Sequence, residues 1–302
     1  MEELYQLISQ KLEKQLFLGA DKPEETIYST LSALWNKAYG HSISAERASK
    51  ILLPKLTEYQ ENILHGLIEQ RLNNTPLAYL TGRQNFMGIE FLCDKRALIP
   101  RKETEILGNA ALELCQKIAI KKSKVSIFDV CCGSGNLGLA LASLHPQTFV
   151  HSSDLSKEAI ELTRDNISFL NLEEHVKVAQ SDLFSNFESE EYYGKIDLIV
   201  CNPPYISTSK VSVMTSEIAA NEPAMAFDGG LLGLKIIQKL IKDSPKFLSK
   251  GGWLIFEVGV GQGQFVSQLC EKSTFYKQVN STTDDSGNIR VIAVCCRKSK
   301  NT

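Results

Sequence analysis

Apolar side chains recur at helical spacing from the first residues of the chain. Leu4, Leu7, Ile8 and Leu12 fall on one helix face. Asp21, Pro23 and Glu24 form a helix-start signature, after which Ile27, Leu31, Leu34, Trp35 and Ala38 repeat the pattern until Gly40 stops it. Ser44 opens a short third helix, closed by Pro54. Thr57 and Gln60 have capping-box spacing ahead of the stripe Ile63, Leu64, Leu67 and Ile68. Four helices with short connections predict a small helical domain over residues 1–74.

The pattern then changes. Pro76, Gly82 and Gly88 break up short apolar stretches such as MGIEFL, which predicts a linker with a β-hairpin over residues 75–98. Another helix is expected near 103–120. From Val125 onward strands and helices alternate: SIFDV, TFVHSSD, HVKVAQ, IDLIVC and GGWLIFEV read as strands. Helices are expected at Leu137–Leu144, at Ser156–Phe169 with Ser156 as cap, and at Gln264–Cys270. This alternation predicts a doubly wound α/β sheet over residues 99–302. The last two strands, near 275–280 and 289–296, are separated by the turn-rich TTDDSGN. That link is too short for a parallel crossover, so the two strands should be antiparallel.

Composition narrows the function classes. With 33 basic and 35 acidic residues the net charge is −2. A protein whose affinity rests on neutralising many phosphates is usually strongly basic, so no direct nucleic-acid binding is expected. The 8 cysteines contain no CxxC, which argues against a disulfide scaffold or a zinc site, and no metal is expected. The acidic N-terminal stretch does not read as a signal peptide, and no apolar run reaches the ~18 residues of a membrane span. These features predict a soluble cytoplasmic protein with reduced thiols.

The candidate chemistry sits at two strand ends. After the first sheet strand comes Asp129-Val130-Cys131-Cys132-Gly133-Ser134-Gly135-Asn136-Leu137-Gly138, a glycine-rich turn into a helix. Such a turn lets a ligand approach the backbone at the carboxyl edge of the sheet. Asp154 ends the second strand, where an acid can grip ribose hydroxyls. Gly133, Gly135 and Gly138 satisfy GxGxxG, a weak signal that would suggest a nicotinamide dehydrogenase. The same loop and acid also suit S-adenosylmethionine, which carries an adenosine ribose and no pyrophosphate.

Strand IDLIVC runs directly into Asn202-Pro203-Pro204-Tyr205. Two prolines cannot continue a ladder and stiffen the turn. A stiff turn can aim the Asn202 side-chain oxygen and the Pro203 carbonyl into the crevice as uncharged acceptors. An amide or aromatic amine nitrogen is a poor nucleophile because its lone pair is delocalised. Two acceptors on its N–H groups would orient it and stabilise the charge that develops on attack. Tyr205 can stack on the planar group. Hydride transfer has no such requirement.

With both motifs in hand, the chain resembles the HemK-type release factor glutamine methyltransferases. The resemblance runs from about residue 71 to residue 291. It is carried by Arg71…Pro76-Leu77-Ala78-Tyr79-Leu80-Thr81-Gly82, Phe86-Met87-Gly88, and Leu98-Ile99-Pro100-Arg101-Lys102-Glu103-Thr104-Glu105. The glycine loop, Ser153-Asp154-Leu155-Ser156, Ser181-Asp182-Leu183-Phe184 and Asn202-Pro203-Pro204-Tyr205 follow. Asn221-Glu222-Pro223, Gly229-Gly230, Gly251-Gly252, Glu257, Gly259 and Asp285-Ser286-Gly287…Arg290-Val291 close the match.

The resemblance implies a Rossmann-like class I S-adenosylmethionine-dependent methyltransferase with a helical domain that docks a protein substrate. It implies methyl transfer to a glutamine side-chain amide, with a peptide-chain release factor as substrate. Cys131, Cys132, Gly133, Ser134 and Gly135 would hold the methionine part of the cofactor, Asp154 its ribose, Leu183 would lie beside the adenine, and Asn202 would also contact the cofactor. Asn202 and Pro203 would hold the amide, with Pro204, Tyr205, Phe86 and Glu222 about the substrate. Cys131 stands where members usually have glycine, Cys132 where threonine is frequent, Lys102 where proline is usual, Leu183 where some have an aromatic, and Leu232 where an acid is usual.

Other readings stay open at this point. One is a sister enzyme acting on a glutamine of a ribosomal protein, or a divergent paralogue with another substrate. A DNA or RNA amino-methyltransferase and a non-catalytic binding module are the others. Glu103 and Glu105 could reach the cofactor or simply open a helix, and Glu222 could close the pocket or cap a loop. The run Lys121-Lys122-Ser123-Lys124 reads as a solvated helix end.

Overall fold

The computed structural model describes residues 1–19, 21–207, 221–227, 229–230 and 233–297; Leu232 lies outside them. The chain begins with five helices: α1 (Glu2–Gln15), α2 (Ile27–Tyr39), α3 (Ala45–Ala48), α4 (Glu58–Leu72) and α5 (Leu77–Thr81). Ile8, Leu12, Leu31, Leu34, Trp35, Leu64 and Ile68 meet in one buried cluster. The Trp35 indole N–H donates to the Pro54 carbonyl at 2.8 Å, which satisfies its one polar atom. Leu7 departs from the expected stripe. Its neighbour Ile8 is the one turned inward, and Leu7 is 64% exposed.

Helix α2 also starts later than its acidic signature. Thr26 and Ser29 form the capping box: Ser29 N donates to Thr26 Oγ1 (3.0 Å) and Thr26 N donates to Ser29 Oγ (2.8 Å). Asp21, Pro23 and Glu24 have the chemistry of a helix start, but the apolar repeat begins only at Ile27, and the box beside it takes the orphan amides. Gly40, at φ 111°, ends the helix as expected. The capping box of Thr57 and Gln60 opens α4. Helix α3 stops at Ala48, well before Pro54.

Strands β1 (Arg83–Phe86) and β2 (Ile89–Leu92) pair antiparallel, with Phe86 opposite Ile89. Met87 and Gly88 both have positive φ, 51° and 79°, as a two-residue hairpin turn of the right twist requires. A 3-10 turn at Lys102–Thr104 then leads into α6 (Glu105–Ala119).

The remaining elements are β3 (Val125–Val130), α7 (Asn136–Leu144), β4 (Thr148–Asp154), α8 (Lys157–Phe169), β5 (Val176–Gln180) and β6 (Ile196–Cys201). They continue with α9 (Lys235–Asp243), β7 (Leu248–Glu257), α10 (Gly263–Glu271), β8 (Tyr276–Thr283) and β9 (Ile289–Cys296). Helix α9 has no counterpart among the expected elements. It buries Ile237, Leu240 and Ile241 and leaves its lysines outward.

Seven strands form one sheet in the order β5-β4-β3-β6-β7-β9-β8. The first five neighbours in that order are parallel; β9 is antiparallel to both β7 and β8, as the short link demands. Every residue of β6 is buried, and all but Asp197 are apolar, as suits a parallel strand covered on both faces. Apolar clusters lie on both sides of the sheet. Chain order reverses at β3, whose two neighbours are β4 and β6. Doubly wound folds bind ligands in the crevice outside the strand ends at such a switch point. Among the described residues, no helix is long and apolar enough to cross a membrane, and no cluster of three or more His, Cys, Asp or Glu could hold a metal.

Candidate active site

Val130 and Cys201 are register partners on adjacent parallel strands. The two loops that follow them therefore leave the sheet side by side. Between them is a cavity of about 240 Å³. It is lined by Cys131–Ser134 after β3, Asp154–Ser156 after β4, Ser181–Leu183 after β5, and Asn202 and Pro204 after β6. Pro100, Arg101 and Thr104 close one side, and Pro223 and Met225 another.

The β3–α7 turn is held from behind. Gly135 is the N-cap of α7 at φ 82°. A Cβ at Gly138 would stand 2.7 Å from Asp129 Oδ2, the oxygen that accepts the Gly138 N–H at 2.9 Å. Asp129 is fully buried, and burial pushes its carboxyl up to about 7 against the pull of that hydrogen bond. Helix α8 takes the loop's carbonyls: the Thr163 hydroxyl donates to Gly133 O (2.9 Å) and Asn166 Nδ2 to Ser134 O (3.0 Å). Cys131 sits in the left-handed region at φ 58°, a conformation that costs a side-chain-bearing residue roughly 1–2 kcal/mol. Its thiol packs toward Cys201, whose own thiol burial pushes well up.

Asp154 joins the loop to the next strand. Its Oδ2 accepts from Gly133 N and its Oδ1 from Ser156 N, both at 2.9 Å. Burial raises its pKa while these amides oppose the rise. Each oxygen keeps a second lone pair, so the carboxylate can still accept from a vicinal diol. Leu155 lines the cavity while 54% exposed, and Leu183 lines it nearly buried. An acid for a diol, two apolar side chains for a planar base and a backbone-lined turn together fit an adenosine-bearing cofactor.

Beyond Asn202 lies a buried polar network. Asn202 Nδ2 donates to Thr104 Oγ1 at 3.2 Å, and the Tyr205 hydroxyl donates to Glu257 Oε1 at 2.8 Å. Arg290 pairs with Glu103 at 2.7 Å and with Glu257 at 3.4 Å. Glu257 is 1% exposed. Burial raises its carboxyl to about 7, with Glu103 adding to the rise and Tyr205, Thr104 and Arg290 opposing it. The Tyr205 phenol is pushed far up by burial and by the same two carboxylates.

Cys131, Cys132, Gly133, Ser134, Asp154, Leu183, Asn202 and Pro204 all border the one cavity. Gly135 stands behind it as the helix cap, Pro203 is buried in the turn, and Tyr205 faces the Glu257 network. Phe86 does not reach this cavity. Strand alternation turns its ring inward, where it is wholly buried and meets Phe91 edge-on at 6.4 Å. Glu222 does not face it either. Its carboxylate takes the Arg101 guanidinium (2.5 Å) and the Ile99 N–H (3.0 Å), which fastens the adjoining Pro223 against the cavity. Glu103 is occupied by Arg290 rather than reaching a cofactor. Glu105 opens α6 and accepts from Met87 N at 2.8 Å. Pattern reading passed over Thr104, Arg101, Pro100 and Met225 as wall residues. For the first three the signal was their place inside the Ile99–Glu105 motif.

A family profile described as "Methyltransferase small domain" matches residues 107–234. A release factor glutamine methyltransferase of Clostridium acetobutylicum is 35% identical over 221 residues, 72% of this chain and 75% of that protein. One from Clostridium botulinum is 36% identical over 237 residues, covering 78% and 81%, and one from Streptococcus pneumoniae is 34% identical over 238 residues, covering 79% and 81%. Among solved structures, a human methyltransferase 10 domain containing protein aligns with a TM-score of 0.50 at 17% identity, over 68% of this chain and 88% of that one. The hMettl16 catalytic domain aligns with a TM-score of 0.53 at 14% identity, over 76% and 81%. These structural likenesses establish the methyltransferase fold alone.

Proposed function

The chain belongs to the release factor glutamine methyltransferase family, and from that premise we propose that it methylates the side-chain amide nitrogen of a glutamine in a peptide-chain release factor. S-adenosylmethionine, when bound, supplies a methyl group on a positively charged sulfur. Asp154 would accept from its ribose hydroxyls, Leu155 and Leu183 would hold its base, and the Cys131–Gly135 turn would hold its methionine part.

Asn202 Oδ1 and the Pro203 carbonyl accept from the two amide N–H groups of the glutamine. They would orient its nitrogen for attack and stabilise the positive charge that gathers there as the N–methyl bond forms and the methyl–sulfur bond breaks, the sulfur keeping the electron pair as a neutral thioether. The nitrogen then releases one proton to water and returns to a neutral amide. The Pro203-Pro204 turn keeps the acceptors fixed, so little reorganisation is needed at the moment of reaction. The helical domain of residues 1–74 docks the protein that carries the glutamine.

The observation that carries this reading is the pairing of Val130 with Cys201, which sets the proposed cofactor turn beside Asn202 on one cavity. The test replaces Asn202 with alanine and follows methyl label into a purified release factor. Transfer should be lost while S-adenosylmethionine binding, measured by calorimetry, survives. Turnover near that of the unmodified enzyme overturns the reading.

A further inference from the structure

We propose that Gln262 is a positioning residue for this reaction: its side-chain amide pins the far end of the Asn202–Tyr205 turn and so sets the direction in which the Pro203 carbonyl points. The inference rests on the proposed function and names the group that aims one of its acceptors.

The turn behaves as a short strut. The proline rings fix φ at Pro203 and Pro204. A following proline also keeps Asn202 and Pro203 out of the helical region and leaves each a ψ range of roughly 40°. The Pro203 carbonyl swings with the ψ of its own residue. With both φ angles fixed, that ψ is settled by where the two ends of the strut are held. The sheet holds one end, because Cys201 closes β6 and pairs with Phe256 of β7. The other end is Tyr205, which lies beyond β6 and outside its pairing with β7.

Gln262 holds that end. It is the N-cap of α10, in the turn that follows β7. Its Nε2 donates to Tyr205 O at 2.9 Å and to Gly233 O at 3.5 Å, and its Oε1 accepts from Gly259 N at 2.9 Å. The orientation of this amide has one solution. The two carbonyls can only accept and the Gly259 N–H can only donate, so a flipped amide would set acceptor against acceptor and donor against donor. One planar group thus ties the strut to the turn after β7 and to the segment at Gly233.

The packing leaves little room for the tie to slip. A Cβ at Gly233 would stand 2.0 Å from Tyr205 O and 2.8 Å from Gln262 Nε2. A Cβ at Gly259 would stand 3.0 Å from Gln262 Oε1 and 3.0 Å from Tyr205 Cδ2. Both segments therefore close on Tyr205 only because glycine stands at these two places. The tyrosine is fastened at its two ends: the hydroxyl donates to Glu257 at 2.8 Å, and the carbonyl accepts from Gln262. Beyond it, Ile206 N donates to Phe227 O at 3.0 Å and Gly229 N donates to Ile206 O at 2.8 Å, which continues the same support.

The experiment compares Gln262→Met, Gln262→Glu and Asn202→Ala with the unmodified full chain. Methyl label from S-adenosylmethionine into a purified release factor gives kcat and KM from pH 5.5 to 8.5, below the Tm of each variant, and calorimetry gives cofactor affinity. Methionine keeps the length of glutamine and removes both hydrogen-bonding ends. It should lower kcat about 10- to 100-fold, with KM and cofactor affinity within about threefold, since a misaimed acceptor costs rate rather than docking. Glutamate keeps an acceptor for Gly259 N, but in its ionised form it turns a second acceptor toward the two carbonyls. When protonated it donates again. Its kcat, divided by that of the unmodified enzyme, should equal the methionine ratio at pH 8.5 and rise at least about fivefold by pH 5.5, while the methionine ratio stays level. Methionine as fast as glutamine, or a glutamate ratio that does not rise as pH falls, overturns the assignment. A loss confined to KM or to cofactor affinity overturns it as well. Should the methionine variant fail to fold, the glutamate ratio carries the test alone. If Asn202→Ala is inactive while both Gln262 variants keep full kcat, the role of Gln262 alone is overturned. An active Asn202→Ala enzyme brings down the proposed function itself.

Discussion

A buried carboxylate that titrates near neutrality is an unusual residue to find behind a methyl-transfer site. Glu257 is raised from an ordinary value of 4.5 to about 7, and the charged and titratable groups facing it are Tyr205, Glu103 and Arg290. The native state therefore holds the Glu257 proton more tightly than the unfolded chain does. Its contribution to stability is greatest below about 4.5 and is lost as pH rises through about 7. Activity should run the other way. Ionised Glu257 holds the Tyr205 hydroxyl and the Arg290 guanidinium behind the Asn202 turn, so kcat should rise with pH through about 7. Glu257→Gln should remove that step from the pH–rate profile as well as lowering kcat. Asp129, also raised to about 7, shares the stability slope but touches the Gly138 amide instead. Asp129→Asn should thus leave the kinetic step in place. A profile of kcat that is flat from pH 5.5 to 8.5 would contradict the assignment.

At the scale of the element, the β3–α7 turn stores strain at Cys131. Glycine there relieves the left-handed penalty of about 1–2 kcal/mol and loses both thiol packing and unfolded-chain restriction, so Cys131→Gly should change stability by less than about 1 kcal/mol. Cys131→Val adds a β-branched side chain at φ 58° and should cost about 2 kcal/mol and weaken cofactor binding, as read by denaturant melts and calorimetry. Equal stability of the valine and glycine variants would show that the turn is not strained. Elements such as β6 and the two loops were legible because strand and turn chemistry is local: a six-residue strand apolar at all but Asp197, then Asn202 and two prolines. Helix α9 was less so, since its nine residues are short for independent stability and gain it by burying Ile237, Leu240 and Ile241 on the sheet. Phe86 misled because an aromatic in a hairpin can turn to either face, and only the register with Ile89 sends it inward. Periodicity cannot report a pair such as Glu103 and Arg290, which meet across 187 positions.

At the scale of the molecule, two ion pairs of one arginine tie distant segments around the cavity. Arg101 is held by Glu222 at 2.5 Å and by Asp21 at 3.5 Å, so the segment before α2, the segment before α6 and the loop containing Pro223 share one guanidinium. Asn221 Nδ2 donates to Asn74 O at 3.1 Å and adds a second tie. Removing one partner of a buried pair strands the other. Glu222→Ala should therefore cost about 3–5 kcal/mol of stability, and it should loosen the Pro223 wall enough to weaken cofactor affinity. Denaturant unfolding and calorimetry read both, and an unchanged affinity in a folded variant would separate the pair from the cavity. The placement of β9 carries a different consequence, for the order in which the protein comes into being. It is the last strand in chain order, yet it slots between β7 and β8 and brings Arg290 to Glu103 and Glu257. During synthesis the helical bundle and the five parallel strands emerge first and can pair with one another, with only the outer edge of β7 still lacking its neighbour. The network behind Asn202 stays open until the ninth strand has left the ribosome. A growing chain can thus fold most of its core while its active centre is still incomplete.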